Sequence, residues 1–139
     1  MEIRVNSRSL PEIERLIATF YAAFDNRNSR PPAIAELRQM FTAQATITRL
    51  TPDRIETWTT DAFIAPRAAM LSDGTLTEFH EWEVDGQTTA FDSIASHCSH
   101  YRKAGMLNGA PYGGEGRKFI QLCRIDDRWL ISSILWQDV

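Results

Sequence analysis

Few side chains in this chain of 139 residues are able to do acid-base chemistry, and the most suggestive pair is His97 with Tyr101. They lie four residues apart in a stretch of alternating apolar and polar residues, so a β-strand would turn both to one face. A histidine base beside a phenol suits abstraction of a proton from an activated carbon while a neighbouring carbonyl is hydrogen-bonded. His97 and Tyr101 are therefore the candidate catalytic residues, for a cofactor-independent, dehydratase-like lyase or isomerase acting on a small hydrophobic substrate. The competing reading is a strand histidine hydrogen-bonded to its neighbour. Candidate ligand-binding residues are Tyr21, Arg49, Trp58, Phe63, Trp82 and Tyr112, and Trp82, Trp58 and Phe63 equally suit a plugged pocket with no ligand. Asp92, Asp61 and Arg49 make an acid-base set only if the fold gathers them. Cys98 and Cys123 form no Cys-x-x-Cys pair and read as two reduced, buried thiols, and the histidines suggest no metal cluster. No metal and no cofactor are expected.

Positioning these groups falls to helices in the front half and strands in the back half. Leu10, Ile13, Ile17, Phe20 and Phe24 recur at helical spacing between Ser9 and Asp25, with Ser9 and Glu12 as a capping box. Pro31 and Pro32 interrupt the chain, and a shorter helix follows with Ile34, Leu37 and Phe41 on one side. Gln44 to Leu50 reads as a strand that Pro52 closes. A third helix, capped by Thr59 or Thr60 and ended by Gly74, either kinks at Pro66 or begins later. From Leu76 the period is two, with hairpin turns expected at Asp85-Gly86 and Asp126-Asp127 and a glycine-rich loop from Lys103 to Gly116. That loop is not placed to cradle a phosphate; it reads as a flap or a plain hairpin loop.

A turn at Asp85-Gly86 would pair Val84 with Gln87. One face would then hold His80, Trp82, Val84, Phe91, Ala95, His97, Ser99 and Tyr101, and the other Phe79, Glu81, Glu83, Ala90, Asp92, Ile94, Cys98 and His100. The first is the more apolar and is expected to line the hollow. In the last hairpin Ile120, Leu122, Trp129, Ile131 and Leu135 alternate with Phe119, Cys123, Leu130, Ile134 and Trp136, so both faces are apolar. The second set predicts a homodimer through the outer sheet face.

Length and composition bound the rest. A net charge of −3 offers no basic field for nucleic acid or an anionic membrane, and no apolar run reaches the length of a membrane span. A single cytoplasmic domain over residues 1–139, with one core, is the expectation. Helices gathered before a meander predict an α+β layer fold: a strongly curved antiparallel sheet with three helices on its concave face.

Three segments carry a resemblance to a known family: residues 13–25 leading into the helix-strand step at 37–48, Asp92-Ser93-Ile94-Ala95 to Tyr101, and Arg128-Trp129-Leu130-Ile131. On these the chain resembles the nuclear transport factor 2-like superfamily, which includes polyketide cyclases of the SnoaL-like type, ketosteroid isomerases and scytalone dehydratases. The resemblance implies a cone-shaped α+β barrel with a pocket at its wide end and back-to-back dimers. In the isomerases an acidic base follows the first strand, where this chain offers Arg49, and the first-helix tyrosine is matched by Ile17. Isomerase activity therefore does not carry over, and the leading expectation is an uncharacterised small-molecule-binding pocket protein of the SnoaL-like type.

Overall fold

A computed structural model describes residues 9–139, Ser9 by its backbone alone. The expected Ser9–Glu12 capping box therefore lies outside the described part. Helix α1 spans Ser9–Ala22, and Ile13, Ile17, Phe20 and Phe24 are buried as their spacing requires. A 3-10 turn at Arg27–Ser29 and the proline pair lead to α2, which is only Ile34–Arg38; Phe41 already opens strand β1 (Phe41–Leu50). A short strand that the sequence reading missed, β2 (Ile55–Thr59), folds back on β1. Helix α3 (Thr60–Ser72) starts where the Ala62 amide donates to Thr59 Oγ1 at 3.2 Å, and Gly74 at φ 91° follows its end. It runs through Pro66.

Strands β3 (Leu76–Phe91), β4 (Ile94–Leu107), β5 (Ala110–Ile125) and β6 (Arg128–Asp138) form the expected antiparallel meander. The sheet order is β2-β1-β6-β5-β4-β3, and β1 runs parallel to β6, with Ile47 opposite Ile134. The architecture is thus α+β as expected, but the sheet is mixed and open rather than wholly antiparallel and closed. Helices α1 and α3 lie in its hollow. Phe20 packs edge-on against Phe41 and Phe24 against Phe63, and the Tyr21 hydroxyl reaches Ser99 Oγ at 2.7 Å.

One expected turn and one expected loop are absent. Asp85-Gly86 lies inside β3, and the chain reverses instead at residues 92–93, where Asp92 adopts φ 49°. Gly86 serves a close approach rather than a reversal, because a Cβ there would meet the Glu83 carboxylate at 2.6 Å. The expected loop at 103–116 is continuous strand except for the tight turn Asn108-Gly109, with φ of 51° and 79°. Its glycines let backbones meet: a Cβ on Gly105 would lie 2.9 Å from Phe79 Cα, and one on Gly116 would strike the Tyr101 hydroxyl. Asp126-Asp127, at φ 50° and 62°, is the turn the sequence indicated.

Moving the β3–β4 turn reverses part of the face assignment. Glu81 and Glu83 oppose Lys103 and Tyr101 on the inner face, while His80 and Trp82 oppose Ala104 and Arg102 on the outer one. Ala90 is buried and Phe91 exposed, the opposite of the expectation; Ala95, His97, Ser99 and Tyr101 point inward as expected. His80 and His100 share the outer face rather than opposing one another, and Cys98 is exposed, not buried. In β6 an extra residue, Ser132, interrupts the pairing between Leu122–Ile131 and Gln121–Ser133. Ile134 and Trp136 are therefore core residues at 2% and 7% exposure and cannot belong to an outer dimer surface; Phe119 and Leu135 are the exposed ones.

One buried side chain ties the helices to the sheet. Asn26 donates to the carbonyls of Leu71 at 3.0 Å and Leu76 at 2.7 Å and accepts the Phe79 amide at 2.7 Å, joining the end of α1 to the end of α3 and the start of β3. Asn26→Ala strands three buried backbone groups. Its unfolding free energy, measured by urea titration, should fall by about 2–4 kcal/mol, and a loss below about 1 kcal/mol would contradict this role.

Candidate functional site

Between α1, α3 and the inner sheet face lies a cavity of about 250 Å³. Its apolar walls come from Phe20 and Phe24 on α1, Phe63, Pro66 and Met70 on α3, and Phe79, Tyr112 and Trp136 on the sheet. Six basic or acidic side chains also line it: Arg49, Arg67, Lys103 and Lys118 against Glu81 and Asp138. Four cations facing two carboxylates leave two positive charges in excess when all are ionised.

Asp138, near the end of β6, gathers one group of these. Its carboxylate accepts from the Tyr101 hydroxyl and from Arg49 Nη2 at 3.2 Å, with Lys103 Nζ at 3.4 Å. Burial alone would raise its pKa, but the Tyr101 hydrogen bond and the Lys103 and Arg49 charges outweigh that and hold it below the usual range. Tyr101, fully buried, is pushed upward by burial and then by this bond to an anion. Arg49 Nε is buried without a hydrogen-bond partner.

Arg67 is held by aromatic faces rather than by a carboxylate, and Lys118 by an aromatic face with the Glu81 carboxylate beside it. The Arg67 guanidinium lies 3.9 Å from the Phe63 ring centre and 5.4 Å from that of Trp58, and it donates to the Phe63 carbonyl at 2.9 Å. Among the described residues no carboxylate lies within ion-pair distance of it. Burial, then repulsion from Arg49, brings its pKa down to about 10. Lys118 Nζ sits 3.9 Å from the Tyr101 ring centre and 3.7 Å from Glu81 Oε2. Burial lowers its pKa, a shift the Glu81 charge opposes and the Lys103 charge adds to.

The structure separates His97 from this cavity. His97 is 3% exposed, its Nε2 2.6 Å from Glu83 Oε2 and its Nδ1 2.7 Å from Thr88 Oγ1. Ser99 Oγ donates to the same Glu83 oxygen at 2.6 Å and meets the Tyr21 hydroxyl, so Thr88, His97, Glu83, Ser99 and Tyr21 form one chain beneath α1. Both ring nitrogens are occupied and the ring does not line the cavity.

Of the sequence candidates, Arg49, Phe63 and Tyr112 line the cavity. Tyr101 and Trp58 stand just behind the wall, bonded to Asp138 and stacked on Trp136 at 5.7 Å. Tyr21 is in the buried chain, and Trp82 is outside, stacked on His80 at 4.4 Å. The suggested Asp92, Asp61 and Arg49 set does not form, since Asp61 pairs with Arg38 and Asp92 faces Arg124. Sequence reasoning missed Arg67, Glu81, Lys103, Lys118 and Asp138. Lys118 was detectable: it precedes Ile120 and Leu122 at a spacing of two, which puts a cation on the apolar face. Arg67 follows Phe63 by four residues on one helix face. Among the described residues no cluster of three His, Cys, Asp or Glu side chains could hold a metal, and no helix is long and apolar enough to cross a membrane.

No protein-family model matches the chain, and no curated protein matches it in sequence. Solved structures do. A candidate aromatic ring hydroxylase from Novosphingobium aromaticivorans is similar at a TM-score of 0.79 with 13% identity, over 98% of this chain and 92% of that one. A nuclear transport factor 2-like superfamily protein from Salmonella enterica gives 0.76 with 13% identity, over 96% and 93%. A candidate scytalone dehydratase from Novosphingobium aromaticivorans gives 0.74 with 14% identity, over 95% and 85%. At such identities the likeness concerns the fold.

The Glu83 carboxyl is pushed up by burial but held below its ordinary pKa overall by hydrogen bonds from His97 and Ser99. A depressed carboxylate stabilises the folded state above the unfolded pKa, near 4.3, and that contribution is lost as pH falls through the lower folded value. Glu83→Gln should therefore show a shallower loss of stability than the parent on acidification from about pH 5 to 3. Equal slopes in urea titrations across that range would count against it.

Proposed function

From the nuclear transport factor 2-like cone fold, we propose that this protein binds in its cavity a small, flat, largely apolar molecule carrying one anionic group. The observation that carries this reading is Arg67, a cavity-lining cation stacked on Phe63 and repelled by Arg49, with no carboxylate of its own among the described residues. An anion beside Arg67 would relieve that repulsion, and the orphaned Arg49 Nε offers a further donor. The aromatic walls suit a ring, and a cavity of about 250 Å³ is small for a ligand site, so one ring is the expected size. The name of the ring hydroxylase among the similar structures supports an aromatic ligand. The lyase alternative through His97 and Tyr101 is disfavoured, because His97 lies outside the cavity with both nitrogens engaged.

Isothermal titration with benzoate and uncharged benzamide tests this reading. Benzoate should bind the parent protein more tightly, and Arg67→Met should weaken benzoate roughly tenfold or more while leaving benzamide little changed. Equal affinity of the parent for both compounds would remove the anion requirement.

A further inference from the structure

The chain has two lysines in 139 residues, Lys103 and Lys118, and both line this one cavity; every other basic side chain of the Lys and Arg type is an arginine. Arginine keeps its charge, whereas a buried lysine can surrender a proton and act as a nucleophile. The two lysines differ in their surroundings. Lys103 Nζ is hydrogen-bonded to Asp138 at 3.4 Å. Lys118 Nζ makes no hydrogen bond to the described residues; it faces the Tyr101 ring, with Glu81 Oε2 at 3.7 Å. Its side chain is 7% exposed, and Lys103 and Arg67 both add positive charge around it. Desolvation together with a neighbouring cation is the setting that makes a lysine amine nucleophilic.

We propose that Lys118 forms a reversible imine with an aldehyde or ketone bound in the cavity, the ligand class being aromatic oxo acids. The ligand's carboxylate takes the place by Arg67 argued above, so the inference rests on the proposed function for the anion but not for the amine chemistry. Glu81, itself only 10% exposed, accepts a proton from the Lys118 ammonium. The free amine attacks the carbonyl carbon, a C–N bond forms and the C=O π pair moves to oxygen. That oxygen takes up the proton held by Glu81 and a second one from nitrogen, and leaves as water. An ammonium and a carbonyl compound thus become an iminium and one water, with no oxidant or further reactant. Glu81 ends as it began.

The test uses the full chain with 4-formylbenzoate, sodium borohydride to reduce any imine to a stable amine, and peptide mapping by mass spectrometry. A reduced adduct on Lys118, suppressed by excess 4-methylbenzoate and absent in Lys118→Arg, is the expected result. Should that variant fail to fold, the suppression in the parent protein carries the test by itself. Labelling confined to Lys103 or the terminal amine would overturn the proposal. If 4-methylbenzoate binds by titration yet Lys118 stays unlabelled, the imine fails and the binding reading stands. If benzaldehyde labels Lys118 as readily as 4-formylbenzoate, the imine stands and the anion requirement falls.

Discussion

The inner face of this sheet is set by three irregularities in strand pairing, and the site depends on them. Glu78 and Phe79 together oppose Gly105, Val84 is an extra residue between the Glu83 and Asp85 pairs, and Ser132 is extra in β6. Because side chains alternate at a period of two, each inserted residue exchanges the faces of everything beyond it. The Ser132 bulge turns Ile134, Trp136 and Asp138 inward, supplying both an aromatic wall and the carboxylate that gathers Tyr101, Arg49 and Lys103. In β3 the bulge at Glu78-Phe79 brings Leu76 and Phe79 to the same inner side, from which Glu81 and Glu83 follow by simple alternation. Such irregularities also bend a strand, which suits a sheet that must wrap around α1 and α3.

Within that hollow, the balance between burial and pairing gives each charge a different role. Asp138 has enough donors around it to stay ionised despite burial, and Glu83 is kept so by His97 and Ser99. Arg67 and Lys118 have aromatic faces in place of tight ion pairs, which stabilise a cation without neutralising it. Arg67 remains charged even at a pKa of about 10, and burial pushes the Lys118 amine downward as well. Two basic groups in one cavity are thereby suited to different parts of a ligand.

Much of the fold was legible in local sequence. The stripe of α1 and the Thr59 cap each rest on neighbouring residues, and the reversal at Asp126-Asp127 needs only two positions that tolerate positive φ. The misreadings share a cause. In sequence Gly86, Gly105 and Gly116 signal a turn or loop, whereas in the structure each makes room for another group: the Glu83 carboxylate, the Phe79 backbone and the Tyr101 hydroxyl. A glycine that serves close approach and one that serves a reversal are identical in one dimension. The cavity was only half visible for the same reason. Arg49, Phe63 and Tyr112 could be named, but Asp138 could not, because its orientation follows from a bulge six residues earlier.

By itself the sequence determined which segments are helical, that a long meander follows them, and that His97, Ser99 and Tyr101 share a face, since these depend on spacing along one chain. Tertiary structure alone decided that β1 lies parallel to β6, that His97 is sealed beneath α1, and that both lysines meet in one cavity. Those outcomes depend on register between strands far apart in sequence. A single extra residue in one strand changes them while leaving its local pattern almost unaltered.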